Sequence, residues 1–331
     1  MSPLKAQQPA IASPLPVSMA SSLAGDASPS NPEVLRTLYS ALLKTRLLEE
    51  EVLSLLRAGR ISGSTAPILG GEATEVGACI GLEPDDSLSS SQPKLAAAVI
   101  RGTPLDQVLA QLFHRNNEDS NTATNHATQS FRIVPQTSSL TGQLDIAAGI
   151  ALSYRNLGKA NVVVALANDG LAALGFWHEA ARLASSCRLP IVFVVENREQ
   201  SSTNGAGMVQ SQEDLRDRAE AYGFPGITVD GNDIVAVWRV TQESIHRART
   251  GAGPTLIECR TWRWHAETDS SNGETRSKPT NGWQNDPLLH MEHYMKKRSL
   301  WKPSWKDQLA TRYSQALSSA IESASALIEK R

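Results

Sequence analysis

The spacing of apolar positions along this chain changes several times, and each change marks an element. Leu35, Leu38, Leu42, Leu43, Leu47 and Leu48 recur three or four residues apart, which is one face of a helix. Asn31-Pro32-Glu33 supplies an N-cap, a first-turn proline and an early acid, so that helix starts here and runs to a stop at Gly59. A Gly/Ser/Pro loop over 61–71 leads into a short helix over 72–80. After the Pro84-Asp85-Asp86 turn comes a polar stretch, SLSSSQPK; Pro104 then opens a helix through Phe113. Residues 116–129 are polar and read as loop. Residues 142–154 form a helix of small side chains, where Ala147, Ala148, Gly149 and Ala151 admit another backbone, from a second subunit or from the chain itself.

The stretch 161–198 changes period twice. Two short apolar runs, 162–167 and 191–195, read as buried strands, and neither approaches the roughly 18 residues of a membrane span. Between them lie an Asp-Gly turn, a helix and a Leu-Pro step. A helical region around 213–222 and a strand over 227–230 follow. The helix over 233–250 has Ile234, Val237, Val240 and Ile245 on one face and ends at Gly251. A last strand covers 254–260, and 301–331 reads as an amphipathic helix. This alternation predicts an α/β fold, a mainly parallel sheet with helices on both faces. In such sheets ligands bind at the carboxyl ends of the strands. Asp169-Gly170 ends the first apolar strand and Glu196-Asn197 the second, so both belong to that edge.

Composition narrows the classes. The 331 residues are 40% hydrophobic and 20% charged, enough for one large or two modest globular units. A net charge of -2 gives no reason to expect nucleic acid or an anionic membrane as partner. Cys79, Cys187 and Cys259 lie far apart among apolar neighbours and read as reduced core residues of a cytoplasmic protein. Residues 1–30 are Ser, Ala and Pro rich and almost uncharged, an expected disordered tail ahead of a domain over 31–331. A transit peptide is the alternative there, and Lys5 as its one basic residue argues against it. His178-Glu179 lacks the second histidine of a zinc helix. Arg260, Trp262, Arg263 and Trp264 make a basic-aromatic strand end, either packed in an assembly or open as a ligand platform.

Seven segments in order carry a resemblance: LLKTRLLEEEV, GGEATEVGACIGL, DIAAGIALSYR, NDGLAALGFWHEAARLA, LPIVFVVEN, VDGNDIVAVWRV and RARTGAGPTLIECRTWRW. From Val34 onward the chain resembles the alpha subunit of the thiamine-diphosphate-dependent dehydrogenase component of 2-oxoacid dehydrogenase complexes, of the pyruvate, branched-chain 2-oxoacid and acetoin types. The resemblance implies a thiamine-diphosphate-binding fold and a beta subunit as partner, in a heterotetramer, with self-association as the other possibility. It also implies a lipoyl-bearing acyltransferase as the acceptor of the acyl group left when a 2-oxoacid loses carbon dioxide. Thiamine diphosphate and Mg²⁺ are the implied cofactors, and the cofactor carries the carbanion chemistry.

At the implied site this chain departs from the family pattern. The Gly-Asp-Gly turn becomes Asn168-Asp169-Gly170, which keeps Asp169 as a metal carboxylate and Gly170 for close approach. Leu171 can still offer its backbone N–H to a phosphate, and Gln200 can supply a backbone carbonyl. The second metal ligand falls on Arg198, whose guanidinium has no lone pair to give. Asn197 replaces it if the loop shifts by one residue. The Tyr-Arg diphosphate clamp falls on Gln92-Pro93, a loop histidine on Ala66, and the Gly-Gln-Glu-Ala motif becomes Gly70-Gly71-Glu72-Ala73. The His-Gly-His-Ser run becomes His265-Ala266-Glu267-Thr268, placing an acid where a diphosphate would be repelled. Three expectations follow: a working subunit with an altered site, a silent paralogue in which Arg198 fills the metal position and pairs with Asp169, or a metal-independent site in which Arg198 replaces Mg²⁺ as the cation for a phosphorylated ligand.

Overall fold

The computed structural model describes residues 31–61, 68–90, 95–114, 132–134, 142–172, 175–198, 215–262 and 285–329. Five strands form one sheet, all neighbours parallel, in the order β1-β2-β3-β5-β4. They are β1 (Ser87–Ser90), β2 (Val163–Asn168), β3 (Ile191–Arg198), β4 (Gly226–Asp230) and β5 (Thr255–Thr261). The expected parallel α/β architecture is what the chain builds.

Apolar side chains from alternate strand positions separate into two layers, as a sheet covered on both faces requires. One layer holds Val163, Ala165, Ile191, Phe193 and Leu256. It packs under α5 (Gly142–Asn156), α7 (Gly175–Ser186) and α8 (Leu215–Ala221). The other holds Val164, Leu166, Val192, Val194 and Ile257 under α2 (Glu72–Cys79) and α9 (Ile234–Arg249). Outside that second layer lie α1 (Pro32–Arg57), α3 (Leu95–Ile100), α4 (Leu105–His114), α10 (Pro287–Lys297) and α11 (Pro303–Glu329). The one-turn helix α6 (Asp169–Ala172) follows β2 directly.

Local chemistry sets the helix starts. Asn31 accepts the Glu33 N–H at 3.0 Å with Pro32 at the first turn, and Asp233 accepts two N–H groups at the start of α9. Gly59, with φ at +68°, follows α1. The helix expected over 301–331 begins at Pro303, and α10, which begins under an Asp286 cap, was not foreseen.

The stretch read as merely polar, 87–94, contains a strand. All four residues of β1 are buried, because other elements satisfy its serines: Ser87 lies 2.6 Å from the Tyr154 hydroxyl, and Gln143 donates to Ser89 at 3.2 Å. Ahead of it Asp86, fully buried, accepts the Val162 N–H at 2.9 Å and a bond from Arg249 at 2.7 Å. The cysteines are free; Cys79 and Cys259 are buried as expected, whereas Cys187 is half-buried. The tail over 1–30 and the loop over 116–129 lie outside the described residues.

Candidate functional site

The carboxyl ends of β2, β3 and β5 lie side by side, with Asp169 directly after β2 and Arg198 closing β3. Asn168 is in register with Glu196, and Glu196 with Cys259. Asp169 follows Asn168 without a separate turn: it is the first residue of α6, and its Oδ1 accepts the Gly170 N–H at 2.9 Å. The Asp-Gly turn of the sequence reading is therefore the first turn of a helix. Gly170 is exposed, with Asn168 Oδ1 3.6 Å from where a Cβ would sit. Leu171 is the third residue of α6, so its N–H belongs to that same turn. Arg198 is the last residue of β3, in register with Thr261 and two residues beyond the Asn168–Glu196 row. The Arg198 side chain lies outside the described residues, as do Gln200, Ala66, Gln92, Pro93, Arg263, Trp264 and the His265, Ala266, Glu267 and Thr268 run.

Beside these residues stand polar side chains that the sequence did not single out. Glu258 has no exposed surface, yet sits mid-strand in β5. Its carboxylate accepts the Asn197 amide N–H at 2.6 Å and the Thr228 hydroxyl at 3.0 Å, with Arg260 Nε at 3.7 Å. The two hydrogen bonds and the Arg260 cation keep a charge inside the sheet from being left uncompensated. The Thr261 hydroxyl donates to Glu196 at 3.3 Å. Burial pushes the Cys259 thiol well above its ordinary range, so it is inert at neutral pH. Of the basic-aromatic strand end, Arg260 is exposed and Trp262 half-buried.

A second polar cluster braces the loops of the same edge. Asn232, 4% exposed, donates its amide to the Gly70 carbonyl at 2.5 Å and accepts the Trp262 N–H at 2.9 Å. The Trp262 and Asn285 carbonyls stand 3.3 and 3.4 Å from the same nitrogen. Gly70, with φ at +91°, is held from its other side by Glu72, which accepts its N–H at 2.9 Å. Glu72 is also paired with Arg46, which reaches Asp286 at 3.1 Å. Burial works against the Arg46 charge, but Glu72 and Asp286 outweigh it and its pKa moves up. Gly231 admits no larger residue here, since a Cβ would lie 2.2 Å from Thr261 Cγ2.

Magnesium takes about six oxygens at roughly 2.0–2.1 Å. The residues described here do not make such a site. Asp169 offers a carboxylate, the Arg198 guanidinium has no lone pair to give, and the Asn197 side chain is turned onto β5 by Glu258. Among the described residues, no three His, Cys, Asp or Glu side chains come together as metal ligands.

The parallel sheet covered by helices defines an α/β protein, and comparison with known proteins gives the family. Residues 39–330 match the model of the dehydrogenase E1 component, and the chain belongs to that family. The alpha subunit of acetoin:2,6-dichlorophenolindophenol oxidoreductase from Bacillus subtilis is 32% identical over 246 residues, 73% of this chain and 74% of that one. The alpha subunit of the pyruvate dehydrogenase E1 component from Staphylococcus aureus is 29% identical over 296 residues, 88% of this chain and 78% of the relative. A solved structure described as a thiamin diphosphate-dependent enzyme from Mycobacterium smegmatis overlaps 60% of this chain at 22% identity and a TM-score of 0.39. This chain spans 32% of that one, and the likeness is too low to carry an argument.

Proposed function

We propose that this chain is the alpha-type subunit of a thiamine-diphosphate-dependent 2-oxoacid dehydrogenase component, acting in the cytoplasm with a beta subunit and passing the acyl group to a lipoyl-bearing acyltransferase. The reading treats 31–331 as one folded unit. What carries it is family membership over residues 39–330 combined with Asp169-Gly170 at the carboxyl edge of a parallel sheet. Asp169, Gly170, Leu171 and Gln200 are the residues assigned to the cofactor's diphosphate and metal, with Arg198 as the altered position.

One observation favours a second reading, a silent paralogue that keeps the assembly without the chemistry. Neither side chain at the end of β3 stands ready as a metal ligand: the Arg198 guanidinium has no lone pair and the Asn197 amide is engaged by Glu258. In that reading the Arg198 guanidinium occupies the metal position opposite Asp169. A fixed charge there would repel a divalent ion at short range.

The test is co-expression with a beta-type chain, then calorimetry for thiamine diphosphate with Mg²⁺ and with chelator. Binding that disappears in chelator supports the working subunit. An assembled pair that binds no thiamine diphosphate in either buffer rejects it in favour of the silent paralogue. Under the second reading Arg198→Asn restores magnesium-dependent binding, and an R198N pair as inert as the parent contradicts the role given to Arg198.

A further inference from the structure

The bend between α10 and α11 concentrates positive charge in a chain whose net charge is -2. Four of the chain's ten lysines, Lys296, Lys297, Lys302 and Lys306, lie there together with Arg298. Over 287–309 only Glu292 and Asp307 are acidic, which leaves a local excess of three positive charges. Lys296, Lys297, Arg298 and Lys302 are exposed, and Lys306 is half-buried. Glu292 takes Lys306 at 2.8 Å and Lys296 at 4.0 Å, so cations from both helices converge on one carboxylate. Lys297, Arg298 and Lys302 have no carboxylate partner among the described residues. Lysines in the last turn of a helix are ordinary, since its carbonyl end is the negative pole, and that accounts for Lys296 and Lys297. Lys302 and Lys306 are different. They bracket the first turn of α11, the positive pole of a 27-residue helix, and that turn carries no acid.

The bend is also rigid. The Arg298 and Leu300 N–H groups both donate to the Met295 carbonyl, at 3.1 and 3.0 Å. Trp301 and Trp305 pack onto the fully buried Tyr39 ring, with centroids 4.8 and 5.3 Å away. Cations carried on such a frame lose less freedom when a partner arrives. The same aromatic groups decide what kind of anion fits. Lys296 lies over the Trp301 ring at 5.8 Å and Arg298 over the Tyr294 ring at 3.7 Å. Those faces are covered by cations and are not open for nucleic-acid bases to stack on. Both tryptophans are turned onto Tyr39, which leaves them poor anchors for a lipid surface. Carboxylates need only the ammonium and guanidinium groups.

We propose that the α10–α11 bend is a docking surface for an acidic peptide segment of another protein, whose carboxylates are received by Lys297, Arg298 and Lys302. The docking is independent of the cofactor reading and holds whether or not this chain supports turnover.

Fluorescence anisotropy of a labelled Glu/Ser peptide titrated with the full chain tests it, at ~0.15 M salt, where exposed charges more than about 8 Å apart are screened. The parent is expected to bind saturably with Kd below ~100 µM, and to ignore a Gln/Ser peptide of the same length. K297E/K302E weakens binding by roughly tenfold or more, because two attractions become repulsions. K297R/K302R keeps the charges and stays within about threefold of the parent. R155E/R182E makes the same charge change at exposed positions of α5 and α7 and binds as the parent does. Circular dichroism and melting check that each variant is folded, since all the substituted residues are exposed. A parent that does not saturate by ~100 µM overturns the proposal, as does equal binding of the two peptides. So does an R155E/R182E variant that loses as much as K297E/K302E. An oligonucleotide of equal charge, or a phosphatidylserine vesicle, bound more tightly than the peptide overturns it too, and assigns the bend to nucleic acid or to a membrane.

Discussion

Replacing Asn232 with alanine removes an amide shared by chain segments far apart in sequence. Its two well-formed bonds are to the Gly70 carbonyl at 2.5 Å and from the Trp262 N–H at 2.9 Å. The Trp262 and Asn285 carbonyls, at 3.3 and 3.4 Å, are long and share the remaining donor capacity. Each good bond contributes about 1 kcal/mol net. Leaving a buried N–H and carbonyl without partners costs about 1–3 kcal/mol more. With Asn232 only 4% exposed, water recovers little of this, so the loss comes to about 3 kcal/mol. That is a large share of the roughly 5–15 kcal/mol that holds a typical domain together. Urea unfolding followed by circular dichroism should show the midpoint falling by about 1–2 M with an unchanged slope. Asn232→Asp sharpens the test: a carboxylate keeps the acceptor for Trp262 but sets oxygen against the Gly70 carbonyl, so it should be no better than alanine. A loss under about 1 kcal/mol for N232A, or a well-tolerated N232D, would refute the bracing role.

Arg46→Met leaves the buried Glu72 and Asp286 carboxylates without their shared cation, and should cost about 3–5 kcal/mol by thermal or urea unfolding. A methionine variant as stable as the parent would show that this ion triad is not what holds α1 to the site edge. Lys44 carries a pKa lowered from 10.5 by burial, with the Tyr313 ring 5.7 Å from its ammonium, so Lys44→Met should raise the melting temperature at neutral pH. The sign follows from linkage: the penalty on the charged lysine is complete below its folded pKa and vanishes as pH rises to the unfolded value. The gap between K44M and parent should therefore narrow as pH approaches 10.5. A gap that is constant with pH would assign the effect to packing.

The candidate site was half legible before any coordinates. NDGLAALG after an apolar run, and ENR after the next, placed Asp169 and Arg198 at neighbouring strand ends, because a β-α-β unit is specified by local periodicity. The composition of Ser87-Leu88-Ser89-Ser90 concealed β1. Its burial depends on Tyr154 and Gln143, more than fifty positions away, rather than on its own apolar content. Glu258 gave a faint signal, a carboxylate inside the apolar run LIEC, but only the register of β3 and β4 on either side shows that Asn197 and Thr228 neutralise it. Asn232 gave none, since an asparagine after Asp-Gly reads as an ordinary turn residue.

The order of its residues settled this protein's α/β class, its parallel sheet and the strand ends that carry Asp169 and Arg198. Period and turn chemistry act over a few residues and can be read along a chain. Tertiary structure decided which polar groups inside that framework are satisfied and by whom. Gly70 meets Asn232 across 162 positions, and Arg46 meets Asp286 across 240. Hydrogen bonds and ion pairs of this kind form only after the sheet has brought distant segments within about 3 Å, and no local pattern encodes them.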